Sequence, residues 1–168
     1  MTTVVFDLDG TLANAKHRLH LLPSRNDKDS TNGWDAFNLA CDKDLPIADN
    51  IELLEDLSHA HNNIVILTGR CDIAEDKTRA WLKAHLTEEV FADATLVMRK
   101  QGDHRRDVDF KQEVLERILD SGEEIMCCFD DLEHVVRHIR GMGITCHQVT
   151  HYDEPLLHEQ DHREGEDE

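Results

Sequence analysis

Short apolar runs alternate along this chain with segments whose apolar residues recur at helical spacing. Residues 3–8, "TVVFDL", read as a buried strand. Residues 47–60 read as an amphipathic helix with Ile47, Ile51, Leu54 and Leu57 on one face. "NNIVILTGR" supplies a second strand over about 63–67, and a helix over 72–86 follows with Asp72 as its expected cap. "ATLVM" is a third strand near 94–98, before a helix at 108–121 that Ser121 and Gly122 stop. "EEIMCCFDD" is a fourth strand. A helix over 131–141 ends at "GMG", and "ITCHQV" at 144–149 is the last strand.

Strand and helix in strict alternation predict an α/β fold, a doubly wound, Rossmann-like parallel sheet of about five strands whose ligands bind beyond the carboxyl ends of the strands. Residues 13–46 break the rhythm. They are too long for an ordinary connection and carry their own amphipathic piece, "GWDAFNLACDKDLP", so they read as a small helical cap inserted after the first strand. The organisation expected is one domain over 1–150 and an acidic, unstructured tail over 151–168. The apolar content of 168 residues is enough for one real core.

Charge modifies this picture in two places. Of a formal net charge of -18, the tail holds a large share: residues 153–168 carry eight acids against the single base Arg163. The other 152 residues hold 28 acids and 17 bases, a balance of -11, which argues against broad electrostatic wrapping of duplex nucleic acid. A small or single-stranded phosphate ligand stays open. Against that background residues 99–111, "RKQGDHRRDVDFK", stand out with five bases and three acids.

The five cysteines form no CxxC pair, and Cys127 and Cys128 are adjacent in an apolar run, which suits reduced core thiols and a cytoplasmic location. No signal peptide and no run long enough to span a bilayer is visible, so no membrane partner is expected.

The candidate chemistry sits at the predicted strand ends. In a strand, residues two apart face the same way, so Asp7 and Asp9 should project side by side, with Gly10 allowing the sharp exit. Such a pair repels itself unless protonated or bridged, and a hard divalent cation such as Mg2+ is the usual bridge. Asp and Gly also simply favour turns, so this pair by itself leaves a turn open. Thr68, Gly69 and Arg70 end the second strand with a hydroxyl, a close-approach residue and a forked donor for phosphate oxygens. Lys111 falls at a helix start, where its charge opposes the helix dipole unless both face one anion. Asp130 and Asp131 end the fourth strand, and Asp131 is also placed to cap the next helix.

In this order and spacing, "DLDGT", "LTGR", Lys111 and "FDD" resemble the four motifs of the haloacid dehalogenase superfamily of phosphohydrolases. Over residues 3–150, "DLDGTLANAKHR", "RKQGDHRRDVDFK" and "FDDLEHVVRHIRGMGITCHQV" resemble one branch of it, the 3'-phosphatase domains of polynucleotide kinase-phosphatases of T-even phage type. A kinase half is not visible, since no GxxxxGK[ST] loop occurs.

The resemblance implies a magnesium-dependent phosphomonoesterase acting through an aspartyl-phosphate. Asp7 is then the nucleophile and Asp9 the acid and base, while Thr68 and Lys111 hold phosphoryl oxygens. Magnesium falls to Asp7, the backbone carbonyl of Asp9, Asp130 and Asp131, with the division between the last two open. Arg18, Gly69, Arg70, Arg99 and Asp107 fall at positions that bind substrate, and the three arginines are expected to line the entrance between cap and sheet.

A nucleotide or single-stranded 3' end is the implied substrate, with no obligate protein partner. A 5'-nucleotidase of free (deoxy)nucleotides is the alternative. A non-enzymatic phospho-receiver is disfavoured because a receiver carries its phosphorylated Asp on a middle strand, whereas the middle strand here is taken to end in Thr68. Zinc at His134 and His138, and base stacking on Trp34 and Phe37, are weaker readings than surface exposure and core packing respectively.

Overall fold

The computed structural model describes residues 2–23 and 31–149. The expected acidic tail over 151–168 lies outside the described residues, as does the middle of the cap segment. In chain order the elements are β1 (Thr3–Phe6), β2 (Ala13–Asn14), α1 (Asp35–Leu39), β3 (Leu45–Pro46), α2 (Ala48–His59), β4 (Asn63–Cys71) and α3 (Glu75–His85). There follow α4 (Glu88–Asp93), β5 (Thr95–Arg99), α5 (Asp107–Asp120), β6 (Ile125–Asp130), α6 (Glu133–Gly141) and β7 (Cys146–Gln148).

Five strands form one sheet in the order β5-β4-β1-β6-β7, with every pairing parallel. This is the expected α/β fold, and its physics begins in β1. All four residues of β1 are buried, because strands pair with both its edges and helices cover both its faces. Val4 and Phe6 join Ile51, Leu54, Ile66, Trp81 and Leu82 on the face covered by α2, α3 and α4. Val5 joins Leu67, Val114, Leu115, Val135 and Val136 on the face covered by α5 and α6. Phe6 stacks on Phe129 with ring centroids 4.5 Å apart, and all five cysteines are buried and free.

The strand order decides where a ligand can sit. From β1 the chain moves outward to β4 and β5, then returns across the sheet through α5 to lay β6 on the other side of β1. The order reverses between β1 and β6, and a crevice opens there beyond the carboxyl ends of the strands. The spatially central strand is therefore β1, which corrects the expectation that the middle strand is the one ending in Thr68. Sequence order does not show which side of β1 a later strand will join.

Four local boundaries also differ from expectation. The first strand ends at Phe6, before both aspartates. β4 continues through the whole of "LTGRC", with its pairing to β5 irregular between Thr68 and Cys71, so Thr68 and Gly69 sit in a bulged strand. Asp72 opens a single 3-10 turn ahead of α3 and accepts from the backbone N–H of Gln101, so it does not cap the helix. The six-residue α4 has no counterpart among the expected elements, being too short to show a period.

The described residues between β1 and α2 form a small β2-β3 ladder, 3-10 turns and the single turn and a half of α1. Its anchor is Phe37, which is buried and meets Trp34 edge-on at 5.8 Å, the packing role expected for this pair. Among the described residues no helix is long and apolar enough to cross a membrane.

Candidate active site

The loop after β1 is pinned by apolar residues. Leu8 and Leu12 are fully buried, each contributing roughly 1.5–3 kcal/mol of burial free energy, and the backbone N–H groups of Leu12 and Ala13 both return to the Leu8 carbonyl. Between these anchors Gly10 adopts φ +83°, which an L-residue resists. Asp7 and Asp9 emerge on either side of Leu8 with different partners, so the expected side-by-side carboxylate pair becomes two separate polar groups.

The first group lies at the reversal between β1 and β6. Carboxylate oxygens of Asp7, Asp130 and Asp131 all lie within 4.8 Å of one another, and all three residues are buried. Lys111 enters from α5 and donates to Asp7 Oδ1 at 2.9 Å and Asp130 Oδ2 at 2.7 Å, and it pairs with Asp107 at 3.2 Å. It is the fifth residue of α5, one residue deeper than expected, with the side chain buried.

Burial pushes the Asp7 carboxyl up to about 8, with Asp130 adding to the rise and Lys111 opposing it. Burial also raises Asp131 well above the usual carboxylate range, with Asp7 and Asp130 adding to it. Oδ1 of Asp131 is buried and has no hydrogen-bond partner. Three hard oxygen donors, one of them orphaned, around a surplus of negative charge fit a divalent cation of the magnesium type.

Asp130 has a second task, since its Oδ1 accepts from the backbone N–H of Leu132 at 3.0 Å. That corrects the capping expectation for Asp131, because α6 begins only at Glu133 and has no side-chain cap.

The second group surrounds Asp9. Arg18 and Arg70 both direct Nη2 at its Oδ1, and Arg70 Nε reaches Oδ2 at 3.2 Å. Burial alone would raise this carboxyl, but Arg70 and then Arg18 overcome it and hold Asp9 at about 2. Thr68 is buried beneath, its Oγ1 accepting from the Arg70 backbone N–H at 3.1 Å. Two further residues, unremarked in the sequence, complete the group. Asp44 accepts from both arginines, and Thr78 Oγ1 accepts from Arg70 Nη1 at 3.0 Å. A lone Asp in a polar stretch, 26 residues from each arginine, carries no sequence signal of this kind.

A third arginine, Arg99, ties the basic loop to the site. It donates to the Gly69 carbonyl at 3.2 Å, the Arg105 carbonyl at 2.6 Å and Asp107 Oδ1 at 2.9 Å, and lies over the Phe110 ring. Gly69 is required here, because a Cβ would lie 2.4 Å from Asp107 Oδ1. Arg18, Arg70 and Arg99 are 0, 2 and 8 % exposed. The expectation that these arginines line the entrance between cap and sheet is thus corrected: all three lie inside the protein, satisfied by its own carboxylates and carbonyls. His138 accepts or donates to Gln112 at 2.6 Å, and the only cluster of possible metal ligands among the described residues is the aspartate one.

The family model described as the polynucleotide kinase PNKP phosphatase domain matches residues 1–153. Among solved structures, two chains from complexes of Pnkp1, Rnl and Hen1, one described as an RNA repair complex, superimpose with TM-scores of 0.68 and 0.66 at 23 and 26 % identity. These alignments cover 91 and 88 % of this chain but only 43 and 45 % of theirs, so the chain spans less than half the length of either. A haloacid dehalogenase-like hydrolase from Streptococcus pneumoniae shares the fold at 16 % identity and a TM-score of 0.59, over 89 % of this chain and 85 % of its own. The aspartates gathered at the β1–β6 reversal, the lysine from α5 and a family match over nearly the whole chain lead to one conclusion: this protein belongs to the haloacid dehalogenase phosphatases, in the family of polynucleotide kinase PNKP phosphatase domains.

Proposed function

We propose that the chain is a magnesium-dependent phosphomonoesterase that removes phosphate from nucleotide or polynucleotide ends, 3' ends foremost, through an aspartyl-phosphate on Asp7. The observation that carries this is the division of labour in the site. One aspartate, Asp7, stands among metal-capable carboxylates, while the other, Asp9, is clamped between two guanidiniums. A cation held by Asp7, Asp130 and Asp131 would offset the burial that raises the Asp7 carboxyl and keep it ionised for attack, which leaves Asp9, outside that cluster, for proton transfer. The preference for 3' ends is supported by the family alone.

The chain's own residues account for the steps as follows. An Asp7 oxygen attacks phosphorus, and the bond to the leaving oxygen breaks with its electron pair staying on that oxygen. Asp9, ionised in the free site, takes up a proton as the phosphate dianion arrives, delivers it to that oxygen, and then takes one from the water that hydrolyses the aspartyl-phosphate. Lys111 is kept charged despite burial, since Asp107, Asp130 and Asp7 together outweigh the desolvation, and with Thr68 it meets the phosphoryl oxygens. Asp107 holds Lys111 and Arg99 in one cluster, which steadies the approach of α5 to β4. Carboxylates of Asp7, Asp130 and Asp131, with the Asp9 carbonyl, would hold magnesium, which supplies charge neutralisation that lets a phosphate dianion approach.

The test is a phosphatase panel run with and without magnesium on 3'- and 5'-mononucleotides, 3'-phosphorylated oligonucleotides and sugar phosphates. Highest kcat/KM on 3'-phosphates supports the proposal. Preference for 5'-mononucleotides would replace it with a 5'-nucleotidase, and preference for sugar phosphates would remove the nucleotide assignment altogether.

A further inference from the structure

Asp44 stands at the end of the cap segment, one residue before β3, and its side chain has no exposed surface. Arg18 meets it in a two-pronged contact, Nε to Oδ1 at 2.8 Å and Nη2 to Oδ2 at 2.7 Å, and Arg70 Nη2 reaches the same Oδ2 at 3.1 Å. The same two Nη2 nitrogens also serve Oδ1 of Asp9. Carboxylate and guanidinium therefore alternate around a closed ring: Asp9, Arg18, Asp44, Arg70.

Electrostatics requires the fourth member. Two buried guanidiniums converging on a single carboxylate oxygen repel each other, and Asp44 restores two charges of each sign where solvent cannot. The ring is also tied to its surroundings. Arg18 Nη1 donates to the Phe37 carbonyl at 3.0 Å, His17 Nε2 lies 2.9 Å from Asp44 Oδ1, and Trp81 Nε1 donates to the Asp44 carbonyl at 2.7 Å.

Of the four side chains in the ring, three have no exposed surface and only Asp9 reaches solvent, with 24 % of its side chain exposed. Asp9 is thus the single point at which the ring can touch a substrate. Its Oδ1 is occupied by two donors, whereas Oδ2 has the one longer contact from Arg70 Nε.

We propose that Asp44 is a positioning residue for phosphoryl transfer: by holding Arg18 and Arg70 from the cap side, it locks the Asp9 carboxyl with Oδ1 engaged and Oδ2 presented to the leaving oxygen. The inference rests on the reading of Asp9 as the acid. Asp9 is ionised in the free site, and the negative charge of an arriving phosphate dianion draws a proton onto its open Oδ2. As the Asp7–phosphorus bond forms and the bond to the leaving oxygen breaks, that proton passes to the leaving oxygen. The carboxylate left behind is received by the two guanidiniums that Asp44 has kept in place. The cap and the proton donor are in this way set by one buried carboxylate.

The experiment follows leaving-group release in a single turnover, with magnesium and with enzyme in excess, so that later hydrolysis of the aspartyl-phosphate does not enter. Two substrates are compared: the nucleoside monophosphate that the wild type processes fastest, whose alcohol must be protonated, and p-nitrophenyl phosphate, whose phenolate departs without a proton. Asp44→Asn, which keeps the volume and removes the charge, is expected to slow nucleoside release roughly 100-fold and nitrophenolate release less than about threefold.

Asp9→Asn is run beside it. If Asp9→Asn shows this selective loss and Asp44→Asn slows both substrates alike or neither, the inference about Asp44 is overturned while the acid assignment stands. If Asp9→Asn itself shows no selectivity, the acid assignment falls and the inference with it. Should Asp44→Asn yield no folded protein, Asp44→Glu keeps the charge, moves the carboxylate by one methylene and is held to the same selective loss.

Discussion

A Cβ built on Gly10 would lie 2.1 Å from Oδ2 of Asp131, closer than any real contact allows. The turn that carries the first two aspartates is therefore shaped around the last one, 121 residues further on. Gly10 also has φ +83°, so backbone and packing both demand glycine there.

That contact yields a paired prediction. Gly122 has φ +86° but nothing within 4 Å of its missing Cβ. Gly122→Ala is expected to cost about 1 kcal/mol, the strain of the left-handed backbone alone, with activity kept. Gly10→Ala adds the clash with Asp131 and is expected to cost at least about 2 kcal/mol more and to abolish activity. Thermal melts and turnover of the two variants side by side check this, and equal melting temperatures would contradict it.

Asp7→Asn is expected to remove turnover while leaving the fold intact. The amide fills the same volume but lacks the ionised oxygen that attacks phosphorus. Circular dichroism and a phosphate-release assay check both halves, and near-wild-type turnover in purified Asp7→Asn would remove Asp7 as nucleophile.

Activity is expected to vanish in EDTA and to return with magnesium. Asp131→Ala removes a buried oxygen that has no protein partner, so it is expected to weaken magnesium binding at least about tenfold without loss of stability in metal-free buffer. Isothermal titration calorimetry with magnesium alone reads the first effect and thermal melts the second. Unchanged magnesium affinity in Asp131→Ala would take that residue out of the ligand set.

Lys111→Gln leaves Asp7, Asp107 and Asp130 without the buried cation they share, and breaking such a group costs about 3–5 kcal/mol. Magnesium replaces part of the missing charge. It is therefore expected to raise the melting temperature of Lys111→Gln by more than that of the wild type, with catalysis still lost. An equal magnesium shift in both proteins would show that the lysine and the cation do not share these carboxylates.

Arg99→Ala is expected to lower activity on nucleotides and on a minimal aryl phosphate by similar factors. Arg99 is buried and holds the Gly69 carbonyl, the Arg105 carbonyl and Asp107, so its loss loosens the site for every substrate. A rise in KM confined to nucleotides would instead place the guanidinium on the substrate.

Much of this protein is decided by its sequence alone, because the signals involved are local. The run Val4, Val5, Phe6, stopped at once by Asp and Gly, reads as a short strand buried on both faces, and alternation of such runs with helical periods points to a parallel, doubly wound sheet. Asp7, Thr68, Lys111, Asp130 and Asp131 stand out in the sequence because each is a polar residue near an expected strand end or helix start, although the structure places Thr68 inside the bulge of β4 and Lys111 at the fifth residue of α5.

What only the tertiary structure decides is who meets whom. Which side of β1 receives β6 determines that Asp7 and Asp130 flank one crevice, and that depends on packing α5 and α6 across the sheet. The arginines expected to line the entrance are drawn inside because Asp44, Asp9 and Asp107 are there to neutralise them. Asp44 carries no local signal at all. Its role exists because the cap returns it 26 residues away in the chain to within hydrogen-bond distance of Arg18, and a buried charge is stable only where folding has already assembled its counterion.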